Sequence, residues 1–81
     1  MINILINKAD GVVIHQNKVY EILEDKINVY DSIGNLLFVF ATLNSHTSEI
    51  KEVDSIIPDF IGNKYMWVDG VIEPNPEYVS N

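Results

Sequence analysis

Residues 2–15 read Ile2-Asn3-Ile4-Leu5-Ile6-Asn7-Lys8-Ala9-Asp10-Gly11-Val12-Val13-Ile14-His15. Ile2, Ile4 and Ile6 alternate with Asn3, Leu5 and Asn7, the period-two pattern of a half-buried strand. Asp10-Gly11 is a hairpin turn signal because both residues tolerate positive φ. Val12 to His15 then reads as the returning strand.

The same rhythm continues outward from this hairpin. Gln16-Asn17-Lys18 is a polar break before Val19-Tyr20-Glu21-Ile22-Leu23, and Glu24-Asp25-Lys26 leads into Ile27-Asn28-Val29-Tyr30-Asp31. Ser32-Ile33-Gly34-Asn35 is the next turn, feeding Leu36-Leu37-Phe38-Val39-Phe40-Ala41. That run is apolar on both faces, which predicts a central strand. Thr42 to Ser48 is a polar loop. Ile50, Val53, Ile56 or Ile57, and Phe60 recur at helical spacing. Pro58 and the Ile and Val content favour instead a short strand near 50–53 and an irregular stretch through Phe60. Ile61 to Lys64 is a turn. Tyr65-Met66-Trp67-Val68, Asp69-Gly70 and Val71-Ile72-Glu73 form a second hairpin, and Pro74-Asn75-Pro76 ends the ladder in an extended, peripheral tail. The expectation is one mainly-β domain over residues 1–81. It would be a small antiparallel meander, sandwich or barrel-like fold, with a meander over 1–41 and a loop, hairpin and proline-containing tail over 42–81.

Length bears on how such a fold holds together. The chain has 81 residues, with no cysteine and no arginine. Small domains bury a modest fraction of their surface, and disulfides or metals often compensate. Without cysteine the disulfide and thiolate-metal routes are closed, which leaves association with another subunit or partner.

Composition narrows the chemistry. Twelve acids against five lysines give a formal charge of -7, a field that repels nucleic acid and lacks the arginines that phosphate contacts use. Residues 42–81 carry seven of the acids and two of the lysines. The longest apolar run, Leu36 to Ala41, is far short of the ~20 residues of a membrane helix. The N-terminal segment has no basic region of a secretory signal, which predicts residence in the cytoplasm of the producing cell. His15 and His46 stand in no ligand spacing, and Asp25 to Asn35 fails as a calcium loop because Ile27 and Val29 occupy oxygen-bearing positions. None of the five serines lies in a nucleophile elbow, and the four glycines are isolated in turns. The expectation is a protein that is not an enzyme, with no cofactor, no metal and no small-molecule substrate.

Interface candidates concentrate near the end: Tyr65, Trp67 and Tyr78, beside Pro74 and Pro76. Tyr and Trp bury large areas while keeping a polar handle, and a proline-stiffened tail loses less entropy on docking. Core burial is the competing role, foremost for Trp67. An acidic, arginine-free surface can also imitate a phosphate backbone and block a nucleic-acid-binding protein; solubility alone is the plainer reason for such a charge.

Glu52-Val53, Ile57-Pro58-Asp59-Phe60, Lys64-Tyr65, Trp67-x-Asp69-Gly70 and Asn75-Pro76-x-Tyr78 resemble the ending of many small bacteriophage and prophage proteins. The strand, Lys8-Ala9-Asp10-Gly11 and the Val-Val-Ile return are similar to how such proteins begin. About 30 residues carry the resemblance well and the first 15 weakly; residues 16–48 add nothing to it. It implies a tail, baseplate or tail-fibre accessory that acts by protein contact, as a homo-oligomer or on a larger component, and that can be incorporated into a virion. The resemblance brings no catalytic or cofactor residues.

Overall fold

The computed structural model describes residues 1–79. The described residues are all-β, with eight strands: β1 (Ile2–Asn7), β2 (Val13–Gln16), β3 (Val19–Ile22), β4 (Ile27–Tyr30), β5 (Leu36–Phe40), β6 (Ser48–Val53), β7 (Tyr65–Val68) and β8 (Val71–Pro74). They form three antiparallel sheets, ordered β2-β1-β6, β3-β4-β5 and β7-β8. Both Asp-Gly signals fall in hairpin connections, but at the first only Gly11 takes a positive φ (78°), within a loop closed by the Gly11 N–H donating to the Asn7 carbonyl. Asp69 (φ 49°) and Gly70 (φ 89°) make the two-residue turn between Val68 and Val71, whose handedness matches strand twist. Residues 48–53 are strand, paired to β1 along its whole length.

β1 organises the molecule. Successive residues of a strand face opposite ways, and here both faces are covered: Ile4, Leu5 and Ile6 are all buried. Ile4 and Ile6 join Val13 and Ile57 in one cluster, against which Val53, Phe60, Tyr65, Trp67 and Ile72 pack. Leu5 joins Tyr20, Ile27 and Val29 in a second, flanked by Ile14, Ile22, Phe40 and Leu43. The β2-β1-β6 sheet is thus a middle layer, with the β3-β4-β5 sheet on one face and the β7-β8 hairpin plus the 54–64 segment on the other. A bulge between Leu5 and Ile6 gives β2 an extra residue, Ile14, which joins the second cluster on the same side as His15, while Val13 stays opposite Ile6 in the first.

Two expectations are corrected. The alternation in residues 2–7 predicts a half-buried strand, yet Leu5 on the supposedly polar face is fully buried because a second sheet covers it. The apolar run Leu36–Ala41 is not central. Among the described residues β5 pairs with β4 alone and forms the rim of its sheet. Its relative exposure is 55% at Leu36, 46% at Leu37, 39% at Phe38 and 41% at Val39. On β5, Phe40 packs against the second core cluster, and Phe38 and Phe40 meet the His15 ring of β2 edge-on.

Hydrogen bonds extend the middle sheet and tie the 54–64 segment to it. The Asn17 N–H donates to the Asn3 carbonyl (2.8 Å) as the chain leaves β2, with Asn17 in the left-handed region (φ 59°). The Gln16 amide clasps residue 57, accepting from the Ile57 N–H (2.8 Å) and donating to its carbonyl (3.1 Å). The proline-containing end stays tied to the hairpin one residue past Pro74, the Asn75 N–H donating to the Lys64 carbonyl (2.9 Å). It then turns once over residues 75–78, Tyr78 N–H donating to the Asn75 carbonyl (3.1 Å), with Pro76 at the second turn position, where its fixed φ fits.

Candidate functional site

Two surfaces merit a physical account: the aromatic and proline face of the C-terminal hairpin, and the β5 rim.

The hairpin face is built on Gly11. Its carbonyl accepts the Trp67 N–H at 2.8 Å, and Val12 bridges to Met66, so β7 is hooked to the first hairpin. This sets Tyr65 and Trp67, with Ile72 paired to Trp67, toward the first core cluster. Both aromatic residues are half-buried against it. Lys51 Nζ lies 4.7 Å from the Trp67 ring centroid and 2.7 Å from a Glu49 carboxylate oxygen. The Lys51 hydrogen bond holds the Glu49 carboxyl below its ordinary pKa. Pro74 and Pro76 are exposed and Tyr78 is half-buried. The structure therefore brings Tyr65, Trp67 and Pro74 together on one hairpin, while Pro76 and Tyr78 belong to the turn beyond it. An open groove of about 390 Å³ runs beside Trp67, with Lys8, Asp10, Glu49 and Asp69 among its walls. Trp67→Ala is expected to cost about 2 kcal/mol, below the ~3–5 kcal/mol of a fully buried aromatic because the ring is only partly covered. Urea titration followed by circular dichroism measures it.

The histidines lie in unlike settings. His46 is exposed in the 42–48 loop, its N–H donating to Asn44 Oδ1. His15 is partly buried, its Nδ1 3.0 Å from the Tyr20 hydroxyl and its ring edge-on to Tyr20, Phe38 and Phe40. Burial, then the nearby Lys18 charge, lowers the His15 pKa, and burial raises that of Tyr20. A lowered imidazole pKa means the unfolded chain takes its proton first as pH falls. The stability tied to neutral His15 is complete above about pH 6.5 and declines below it. Melts at pH 7.5 and pH 5 should show a drop that His15→Gln reduces. Asp31, held below its ordinary pKa by its hydrogen bonds to Asn35 first, acts in a lower window. Among the described residues no three His, Asp or Glu side chains gather as a metal site.

β5 is the surface that reading the sequence missed. Edge strands template further pairing unless charge, proline, shortness or a covering segment blunts them. The outer edge of β2 is covered: the Asn63 N–H donates to the Val13 carbonyl (3.0 Å), beside the Gln16–Ile57 clasp. β6 carries Glu49, Lys51 and Glu52, β3 carries Glu21, and β8 ends in Glu73 and Pro74. β5 has no charge or proline, though a bulge at Leu37 interrupts its pairing with β4. Residues 32–48 contain no Asp, Glu, Lys or Arg, and that charge-free stretch was the available signal. The Glu21 carboxylate accepts from Asn28 Nδ2 and the Tyr30 hydroxyl, each at 2.9 Å, so the outer face of this sheet is polar up to the point where β5 begins.

The fold and these surfaces define the class as a small all-β protein of three antiparallel sheets. No family model matches the chain, and comparisons with curated proteins and with solved structures also gave no match.

Proposed function

We propose that this protein acts by contact rather than catalysis, as a small structural or interaction protein. The specific setting is the one its C-terminal motifs imply, an accessory of a phage tail, baseplate or tail fibre, made in the bacterial cytoplasm and carried into the virion. The observation that supports contact as the mode of action is β5, an uncharged apolar strand whose outer edge has no strand partner among the described residues. Exposed apolar surface costs solubility, and in monomeric proteins it is usually limited.

The acidic-mimic alternative is less well supported, because half of the carboxylates have local work. Asp10 accepts the Val12 N–H and Asp31 those of Ile33 and Asn35. Asp59 and Asp69 hold positive-φ positions, Glu21 ties Asn28 to Tyr30, and Glu49 pairs with Lys51.

The test is sedimentation of the full chain from about 1 to 200 μM, together with retention on the immobilised chain from an extract of phage-producing cells. A mass above one chain, or a retained component that a β5 charge substitution releases, supports the proposal. A monomer at every concentration with nothing retained overturns it. Retention that salt abolishes and β5 substitution leaves intact favours the acidic inhibitor instead.

A further inference from the structure

We propose that Asp69 is a modification site: in the folded protein its link to Gly70 rearranges spontaneously to isoaspartate, while the same tripeptide at Asp10 is held inert by the structure.

The chain contains Asp-Gly-Val twice, at 10–12 and at 69–71. Matching local sequence gives matching intrinsic chemistry, so a difference between the two belongs to the fold. The reaction begins when the amide nitrogen that follows an aspartate attacks that residue's own side-chain carboxyl carbon. A C–N bond forms, the C–OH bond breaks, and the hydroxyl leaves with the amide proton as water, closing a five-membered succinimide. Water then adds back. Cleavage of the bond from nitrogen to the side-chain carbonyl carbon restores aspartate. Cleavage of the bond to the main-chain carbonyl carbon leaves the chain running through the side chain, as isoaspartate. One water leaves and one returns, and no oxidant or reductant takes part. Glycine in the second position favours the ring because no Cβ crowds the nitrogen and the backbone turns easily.

At Asp10 each participant is engaged. The nucleophile, the Gly11 N–H, donates to the Asn7 carbonyl at 2.8 Å. The carboxylate accepts the Val12 N–H at 3.0 Å. The Gly11 carbonyl accepts the Trp67 N–H at 2.8 Å, and Gly11 sits so close to β7 that a Cβ there would lie 2.5 Å from the Trp67 carbonyl oxygen. The peptide that must rotate is clamped.

At Asp69 nothing comparable intervenes. Asp69 and Gly70 are exposed in the two-residue turn between Val68 and Val71. Among the described residues neither the Asp69 carboxylate nor the Gly70 N–H has a hydrogen-bond partner. Nothing lies within 4 Å of a Cβ placed on Gly70, so the ring closes without displacing a neighbour. The other four aspartates precede Lys26, Ser32, Ser55 and Phe60, whose side chains hinder the attack.

Isoaspartate adds one carbon to the main chain of a turn that closes on two residues, and the match between turn and strand twist is lost. The Val68–Val71 pair loosens, and the carboxylate shifts within the wall of the groove beside Trp67. Trp67 itself stays hooked to Gly11.

The full chain, held folded at neutral pH and body temperature beside a sample in concentrated urea, tests this. Isoaspartate at each motif is counted by enzymatic methylation with a labelled methyl donor and by peptide mapping. In urea the two motifs should convert at rates within about twofold of each other. In the folded chain Asp69 should convert at least tenfold faster than Asp10. Gly70→Ala should slow conversion at Asp69 at least tenfold and leave Asp10 unchanged. Asp69→Glu, which would have to close a six-membered ring, should abolish it at that position. In the converted fraction the Val68 and Val71 amides should exchange faster with solvent, while those of β1 should not. Equal conversion at both motifs in the folded chain, or none at Asp69 while the urea sample reacts, overturns the proposal. A tenfold difference that persists in urea overturns it too, because flanking sequence would then be the cause. Unchanged exchange at Val68 and Val71 overturns the loosening of the turn.

Discussion

Leu5→Ala is expected to destabilise the protein by about 3–5 kcal/mol, the range for deleting a leucine side chain that neighbours cannot fill. Leu5 is fully buried and packs with Tyr20, Ile27 and Val29, all supplied by the second sheet. β1 is fixed by pairing on both edges, to β2 and β6, so its backbone cannot shift to close the void. At ~0.05–0.15 kcal/mol per residue, a chain of this length has roughly 4–12 kcal/mol in hand. The substitution should therefore lower the melting temperature by at least roughly 12 °C, and at the low end of that stability it unfolds the domain. Leu37→Ala, measured dilute enough to be monomeric, should change stability by less than about 0.5 kcal/mol, as surface substitutions do. Urea titrations of both variants decide the layer order. If Leu37→Ala were the more damaging, β5 would be the central strand and the arrangement described here would be wrong.

Gly11→Ala should be almost as costly, about 3 kcal/mol, for a different reason. Gly11 has φ 78°, where an L side chain costs roughly 1–2 kcal/mol. An added Cβ would also lie 2.5 Å from the Trp67 carbonyl oxygen, a backbone atom that can yield only if β7 moves. Such a shift breaks the Trp67 N–H to Gly11 carbonyl bond and lifts the hairpin from the first core cluster. Gly70→Ala provides the comparison. Its φ is 89°, but nothing lies within 4 Å of the added Cβ, so only the conformational cost of about 1–2 kcal/mol applies. The difference between the two variants isolates the close approach of the hairpins. Trp67 fluorescence should shift to the red in folded Gly11→Ala and stay unchanged in Gly70→Ala. Equal losses in both would show that the contact between Gly11 and β7 contributes nothing.

For function, the aromatic candidates and the β5 strand differ in what they could give up to a partner. Tyr65 and Trp67 are already partly engaged with Ile4, Ile6 and Val13, so a partner could reach only their outer edges. Leu36, Leu37 and Val39 have no such commitment. Aromatic content points a reader of the sequence to the first set because Tyr and Trp are common at interfaces, yet the same side chains are also what a small core needs. Local residue type cannot separate the two uses.

What the sequence settled was local: the strand character of the chain, the turn positions at Asp10-Gly11 and Asp69-Gly70, and the strand rather than helix at 50–53. These follow from side-chain period, β-branching and tolerance of positive φ, which act within a few residues. The tertiary structure alone decided which strands are covered. β1 alternates with asparagine yet is buried on both faces because sheets from distant parts of the chain close over it, and Leu36–Ala41 is uniformly apolar yet lies at a rim because, among the described residues, no later strand returns to pair with it. Burial depends on what the rest of the chain brings alongside, and no period within one strand records that.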